Sequence, residues 1–162
     1  MNQGGWARVC AIALLMASGG LGSAGHARAD EWKAITPEEL KMTSMPESPG
    51  APAVILYREV TKDDGRTPHE DTYIRIKILT DEGRKYANIE IPYFKDSGAV
   101  DGIRARTIRS DGSVVPFDGK ALDQTIVKAK GVKYLAKTFT LPEAQAGAII
   151  EYHYTIKLQG TV

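Results

Sequence analysis

Beyond residue 52 the chain is a succession of short apolar or alternating runs joined by polar segments: Ala53–Val60, Thr72–Thr80, Tyr86–Tyr93, Val100–Arg109, Ser113–Phe117, Thr125–Ala129, Lys133–Leu141 and Ala148–Leu158. None is long enough, or periodic enough at helical spacing, for a core helix, so each reads as a strand. Two alternate strictly. Ile74, Ile76 and Ile78 oppose Tyr73, Arg75 and Lys77, while Ile150, Tyr152, Tyr154, Ile156 and Leu158 oppose Glu151, His153, Thr155 and Lys157. Successive side chains of a strand point to opposite faces, so one face is expected to be buried and the other wet. Asp64-Gly65, Glu82-Gly83, Asp111-Gly112 and Asp118-Gly119 punctuate the runs with residues that take positive φ at little cost. They predict tight hairpins between strands adjacent in sequence. Antiparallel strands with one apolar face and no helices to cover them pack best as two sheets face to face. The expected fold is therefore all-β, an antiparallel β-sandwich spanning residues 53–162.

The N-terminal third follows other rules. Arg8 precedes an apolar run from Val9 to Met16, then small residues and the triplet Ala27-Arg28-Ala29. This is the layout of a secretory signal peptide over residues 1–29, and Ser18-Gly19-Gly20 interrupts it before membrane-spanning length. The mature chain is thus expected to be exported, periplasmic or secreted, with no transmembrane segment. Residues 30–52 divide in two. Thr36-Pro37-Glu38-Glu39 combines a capping hydroxyl, a first-turn proline and a glutamate at the third helical position, predicting a short helix to about Met42. Pro46, Pro49, Gly50 and Pro52 then exclude regular structure and predict a connector over the surface.

Composition narrows the chemistry. Cys10, the one cysteine of the chain, leaves with the signal, so the mature protein has no thiol for a disulfide, a nucleophile or a metal. The 21 basic and 20 acidic residues become 19 against 20 without Arg8 and Arg28, which gives no electrostatic case for nucleic acid. Phosphate-cradling loops and heptads are absent, and no cofactor is expected.

Candidate groups are few. Glu151 and His153 stand two apart on one strand and so share a face, an arrangement in which a carboxylate orients an imidazole. An ordinary wet sheet face is the simpler reading, and no nucleophile is named by the sequence. Arg104, Arg106 and Arg109, with Arg75 and Lys77, form a cationic stripe if their strands are neighbours. Such a stripe could hold an anionic glycan or a peptide carboxylate, or simply keep the sheet soluble. His69-Glu70-Asp71 reads as a solvated loop, and His69 with His153 lacks the ligand spacing of a metal site. Among the tyrosines, Tyr152 and Tyr154 belong to the core by alternation, leaving Tyr73 and Tyr86 as the exposed pair.

Several blocks in order carry a family likeness: Trp32 with Ile35-Thr36-Pro37-Glu38-Glu39-Leu40 and Met42, Ala53-Val54-Ile55-Leu56-Tyr57, Ile78-Leu79-Thr80-Asp81-Glu82-Gly83, Ala105 through Val115, Phe139-Thr140-Leu141-Pro142, and Gly147 through Tyr154. The chain resembles the domain-of-unknown-function family numbered 3857. The resemblance implies an exported bacterial β-rich domain of the kind that precedes a transglutaminase-like domain with a Cys-His-Asp site. It also implies a truncated member, because the sequence stops at Thr161-Val162, where an exposed sheet edge is expected. No catalytic residue of the family carries over. The function expected is a non-catalytic accessory or interaction module, partnered by a transglutaminase-like domain in cis or in trans. A stand-alone module binding envelope glycan or peptide, and a small hydrolase using Glu151 and His153, are the alternatives.

Overall fold

A computed structural model describes residues 32–95, 98–129 and 132–158; the expected signal peptide lies outside them. The capping signature does form a helix, α1, Pro37–Lys41. Thr36 Oγ1 accepts from Glu39 N at 3.2 Å and Thr36 N donates to Glu39 Oε2 at 2.8 Å, so two otherwise orphaned donors are satisfied reciprocally. The connector that follows is exposed for most of its length and turns at Met45–Ser48 and Ser48–Ala51.

Eight strands succeed it: β1 Ala53–Asp63, β2 His69–Ile78, β3 Asn88–Phe94, β4 Gly98–Ile108, β5 Val114–Pro116, β6 Leu122–Ala129, β7 Val132–Thr140 and β8 Ile149–Leu158. They build an antiparallel five-stranded sheet in the order β1-β2-β8-β4-β5 and a three-stranded sheet in the order β3-β7-β6. Ile76, Ile78, Ala105, Ile150 and Tyr152 of the larger sheet meet Ile89, Ile91 and Phe139 of the smaller one in a shared core. Phe139 lies edge-on to Tyr152, with ring centroids 6.3 Å apart. The sandwich is therefore as the alternation predicts, with Tyr152 buried and Tyr154 packed against the core.

Four expectations need correction. Hairpins join β1 to β2, β4 to β5 and β6 to β7, but β8 enters between β2 and β4, and β7 pairs with β3, so half the ladders are long-range. The last strand consequently has both edges paired and exposes none; Ile149, Ile150 and Glu151 are fully buried, as on a strand covered on both faces. Of the four Asp-Gly and Glu-Gly joints, Gly112 has positive φ, at 85°, and the other three do not. Glu82-Gly83 lies in a 3₁₀ helix, Asp81–Ala87. A Cβ on Gly83 would stand 2.1 Å from the carbonyl oxygen of Pro52, so close approach of backbone explains that glycine. Finally, β2 has no wet face over its C-terminal half: Arg75 and Lys77 are as buried as Ile76 and Ile78.

Candidate functional site

The burial of Arg75 and Lys77 follows from register. Arg75 stands opposite Glu151 across the β2–β8 ladder, and Glu151 stands opposite Arg106 across the β8–β4 ladder. Alternation thus brings two cations and one carboxylate to the same face of the larger sheet, the face turned away from the sandwich core. Helix α1 covers them.

Glu151 is the centre of the cluster and has no exposed surface. Its Oε1 accepts from Tyr73 Oη at 2.6 Å and from Arg75 Nε at 2.6 Å, and its Oε2 accepts from Arg106 Nε at 2.6 Å. Arg75 reaches onward through Nη1 to both Glu39 oxygens, at 2.8 and 2.9 Å, and to the Ala34 carbonyl at 3.1 Å. The capping residue of α1 is also the counter-ion that docks it. One turn along, Lys77 Nζ donates to the carbonyls of Leu40, at 2.7 Å, and Gly147, at 2.6 Å. Buried charges are tolerated where such bonds replace water.

The electrostatics follow. Burial, reinforced by the Glu151 carboxylate, pushes the Tyr73 hydroxyl above its ordinary range. Burial works against the Arg75 cation, yet its bonds to Glu39 and Tyr73 and the charge of Glu151 raise it overall. Lys77, which has carbonyls rather than a carboxylate for company, is drawn down by burial. A carboxylate sealed from solvent and held by three short bonds has no route to a substrate proton, so this cluster reads as architecture.

The other predicted residues lie around it. His153 is half-buried on the same face, opposite Tyr73 and Arg104. Arg104 is exposed, and Arg109 pairs with Glu143 at the surface. The stripe of Arg75, Lys77, Arg104 and Arg106 does assemble on one face, but Arg75, Lys77 and Arg106 are bonded within the fold, which a solvated stripe would not be. Tyr73, expected to be exposed, is buried because Glu151 takes its hydroxyl; Tyr86 is exposed, with Lys85 Nζ 5.3 Å from its ring centroid. His69 begins β2, its Nδ1 at 2.8 Å from the Thr67 carbonyl, and that contact raises it above the ordinary value. Four ladder positions separate it from the level of His153. Among the described residues no group of three or more His, Cys, Asp or Glu could hold a metal ion, and no helix is long and apolar enough to cross a membrane.

Glu39 and Tyr73 are the cluster members that sequence reasoning did not place. A usable signal existed: Arg75 and Lys77 are each flanked by isoleucines, and cations inside such a run need partners from another element.

Two clefts lie on the surface of the described residues. One of about 530 Å³ lies beside the 3₁₀ helix, between Arg84, Lys85 and Asn88 on one side and Thr140, Glu143 and Gln145 on the other. Glu143 there has φ of 53°, an uncommon conformation for a residue with a Cβ. The second, of about 310 Å³, involves Asn88, Glu90, Lys120, Gln124, Thr138 and Thr140.

Comparison with known proteins places the fold. A crystal structure from Parabacteroides distasonis, named as that of a "putative protease", superposes with a TM-score of 0.56 at 17% identity, over 68% of this chain and 24% of that one. The present chain thus spans about a quarter of that protein, and at this identity the likeness concerns fold alone. No curated protein matches the sequence. The model of DUF3857, a domain of unknown function with solved structure, matches residues 64–162. That stretch contains seven of the eight strands as well as Tyr73, Arg75, Arg106 and Glu151, and the chain belongs to the DUF3857 family.

Proposed function

We propose that this domain is a non-catalytic accessory or interaction module of an exported envelope protein, serving a transglutaminase-like domain in cis or in trans. One observation carries the reading: the best-equipped chemical cluster, Glu151 with Tyr73, Arg75 and Arg106, is fully engaged in holding the sheet and α1 together. A hydrolase built on Glu151 and His153 would need that carboxylate turned toward its imidazole, whereas both its oxygens go to tyrosine and arginine donors. The fold's occurrence as a fraction of a longer chain agrees with a supporting role.

The test is direct. The purified chain should turn over no fluorogenic peptide, ester or glycoside above background, and mixing it with a transglutaminase-like domain from the same genome should raise the melting temperature of either partner. Turnover abolished by His153→Ala would overturn the reading. So would the absence of any complex or mutual stabilisation.

A further inference from the structure

The outward face of the smaller sheet differs from that of the larger one in having no helix of the described residues over it. Because Ile89 and Ile91 are buried in the core, Asn88, Glu90 and Phe94 of β3 point outward; because Leu135 and Phe139 are buried, Tyr134, Thr138 and Thr140 of β7 do too, with the small Ala136 between them fully covered by its neighbours. Leu122 and Gln124 of β6 lie opposite Thr138 and Ala136 and share that face. Two features result. At one end is the groove of about 310 Å³ with its amide, hydroxyl, carboxylate and ammonium groups. At the other end Phe94, 52% exposed, packs against Tyr134 with ring centroids 4.8 Å apart and planes inclined by 52°.

We propose that this face binds a neutral oligosaccharide lying along β3 and β7, its hydroxyls in the groove and one ring against Phe94. The inference rests on the non-catalytic reading above and names the ligand class. Three observations choose the occupant. Glu90 and Phe94 are four residues apart on one strand, about 13 Å, a span for a chain of sugar rings rather than one ring. Glu90 and Lys120 cancel in charge, so the groove does not select a polyanion, which requires a surplus of cations. The backbone groups of the central strand β7 are committed to β3 and β6, so an added peptide strand finds no ladder on this face. A sugar needs none: it offers hydroxyls to side chains and an apolar ring face to an aromatic one. Asn88 Oδ1 already accepts from Thr140 Oγ1 at 2.8 Å, which holds the groove's centre in place.

The experiment is an NMR titration of the full chain with cellotetraose, maltotetraose and chitotetraose, with glucose as control. At least one tetrasaccharide should give saturable shifts on β3 and β7, glucose should bind about tenfold more weakly or worse, and Phe94→Ala should weaken the tetrasaccharide about tenfold, or 1.4 kcal/mol. Glu90→Gln, which removes a charge from an exposed position, should leave the melting temperature unchanged while lowering affinity. No saturable shift with all three sugars, shifts confined to the other sheet, or unchanged binding by Phe94→Ala would overturn the proposal and leave the non-catalytic reading standing. A tetrasaccharide bound on β3 and β7 and recovered cleaved would uphold the site and sink the non-catalytic reading.

Discussion

The two sheets treat their outward faces in opposite ways. On the larger sheet, charged residues lie beneath α1, and Glu151 and Lys77 have no exposed surface; on the smaller sheet, Phe94 and Leu122 stand 52% and 67% exposed. The polar groups are sealed and apolar ones are bare, the reverse of the usual arrangement. What separates the cases is satisfaction. Each buried charge has bonded partners within the fold, so burial is tolerated, whereas the exposed apolar side chains of the other face fill no part of the core.

Substitutions can break that contrast, and their effects should fall in a definite order. Glu151→Ala leaves the Arg75 and Arg106 cations buried around an empty centre, and loss of one partner from such a cluster costs about 3–5 kcal/mol. Urea titration should show the midpoint collapse; a change below about 1 kcal/mol would mean that water replaces the carboxylate. Lys77→Met keeps the packing but strands two carbonyl acceptors, for about 1–3 kcal/mol, and should speed hydrogen exchange in α1. Burial draws Lys77 down, so the unfolded chain binds its proton more tightly and stability should climb as pH rises through the lowered value toward that of an ordinary lysine. Lys77→Met should flatten that climb.

Thr36→Ala removes the cap that also orients Glu39, and calorimetry should find a loss of about 1 kcal/mol. Glu90→Gln on the open face should change stability by less than about 0.5 kcal/mol. A larger loss there would mean that Glu90 has a structural role, and the distinction between the two faces would fail.

The sequence foretold elements better than partnerships. All eight strands and α1 were legible, since period-two alternation and the capping box are local signals. The site was not. Glu151 and His153 were correctly placed on one face, but the bonds that define Glu151 reach 76 residues back to Arg75 and 45 back to Arg106. No local pattern encodes a pairing that distant. Alternation of charge with isoleucine was read as wet against dry, although it equally describes a strand buried on both sides with its charges paired. Phe94 escaped notice for a different reason: one aromatic at a strand's end looks the same whether its ring turns inward or outward, and the register of β3 against β7 decides which.

The position of β8 also sets a constraint in time. It follows the seven other described strands in the chain yet lies in the middle of the larger sheet, between β2 and β4. Until residues up to Leu158 are available, the β1–β2 and β4–β5 hairpins have no common neighbour, and the Glu151 anchor for Arg75 and Arg106 does not exist. The larger sheet must therefore close late, by insertion of a distant segment into a waiting gap, the kind of non-local step that slows folding.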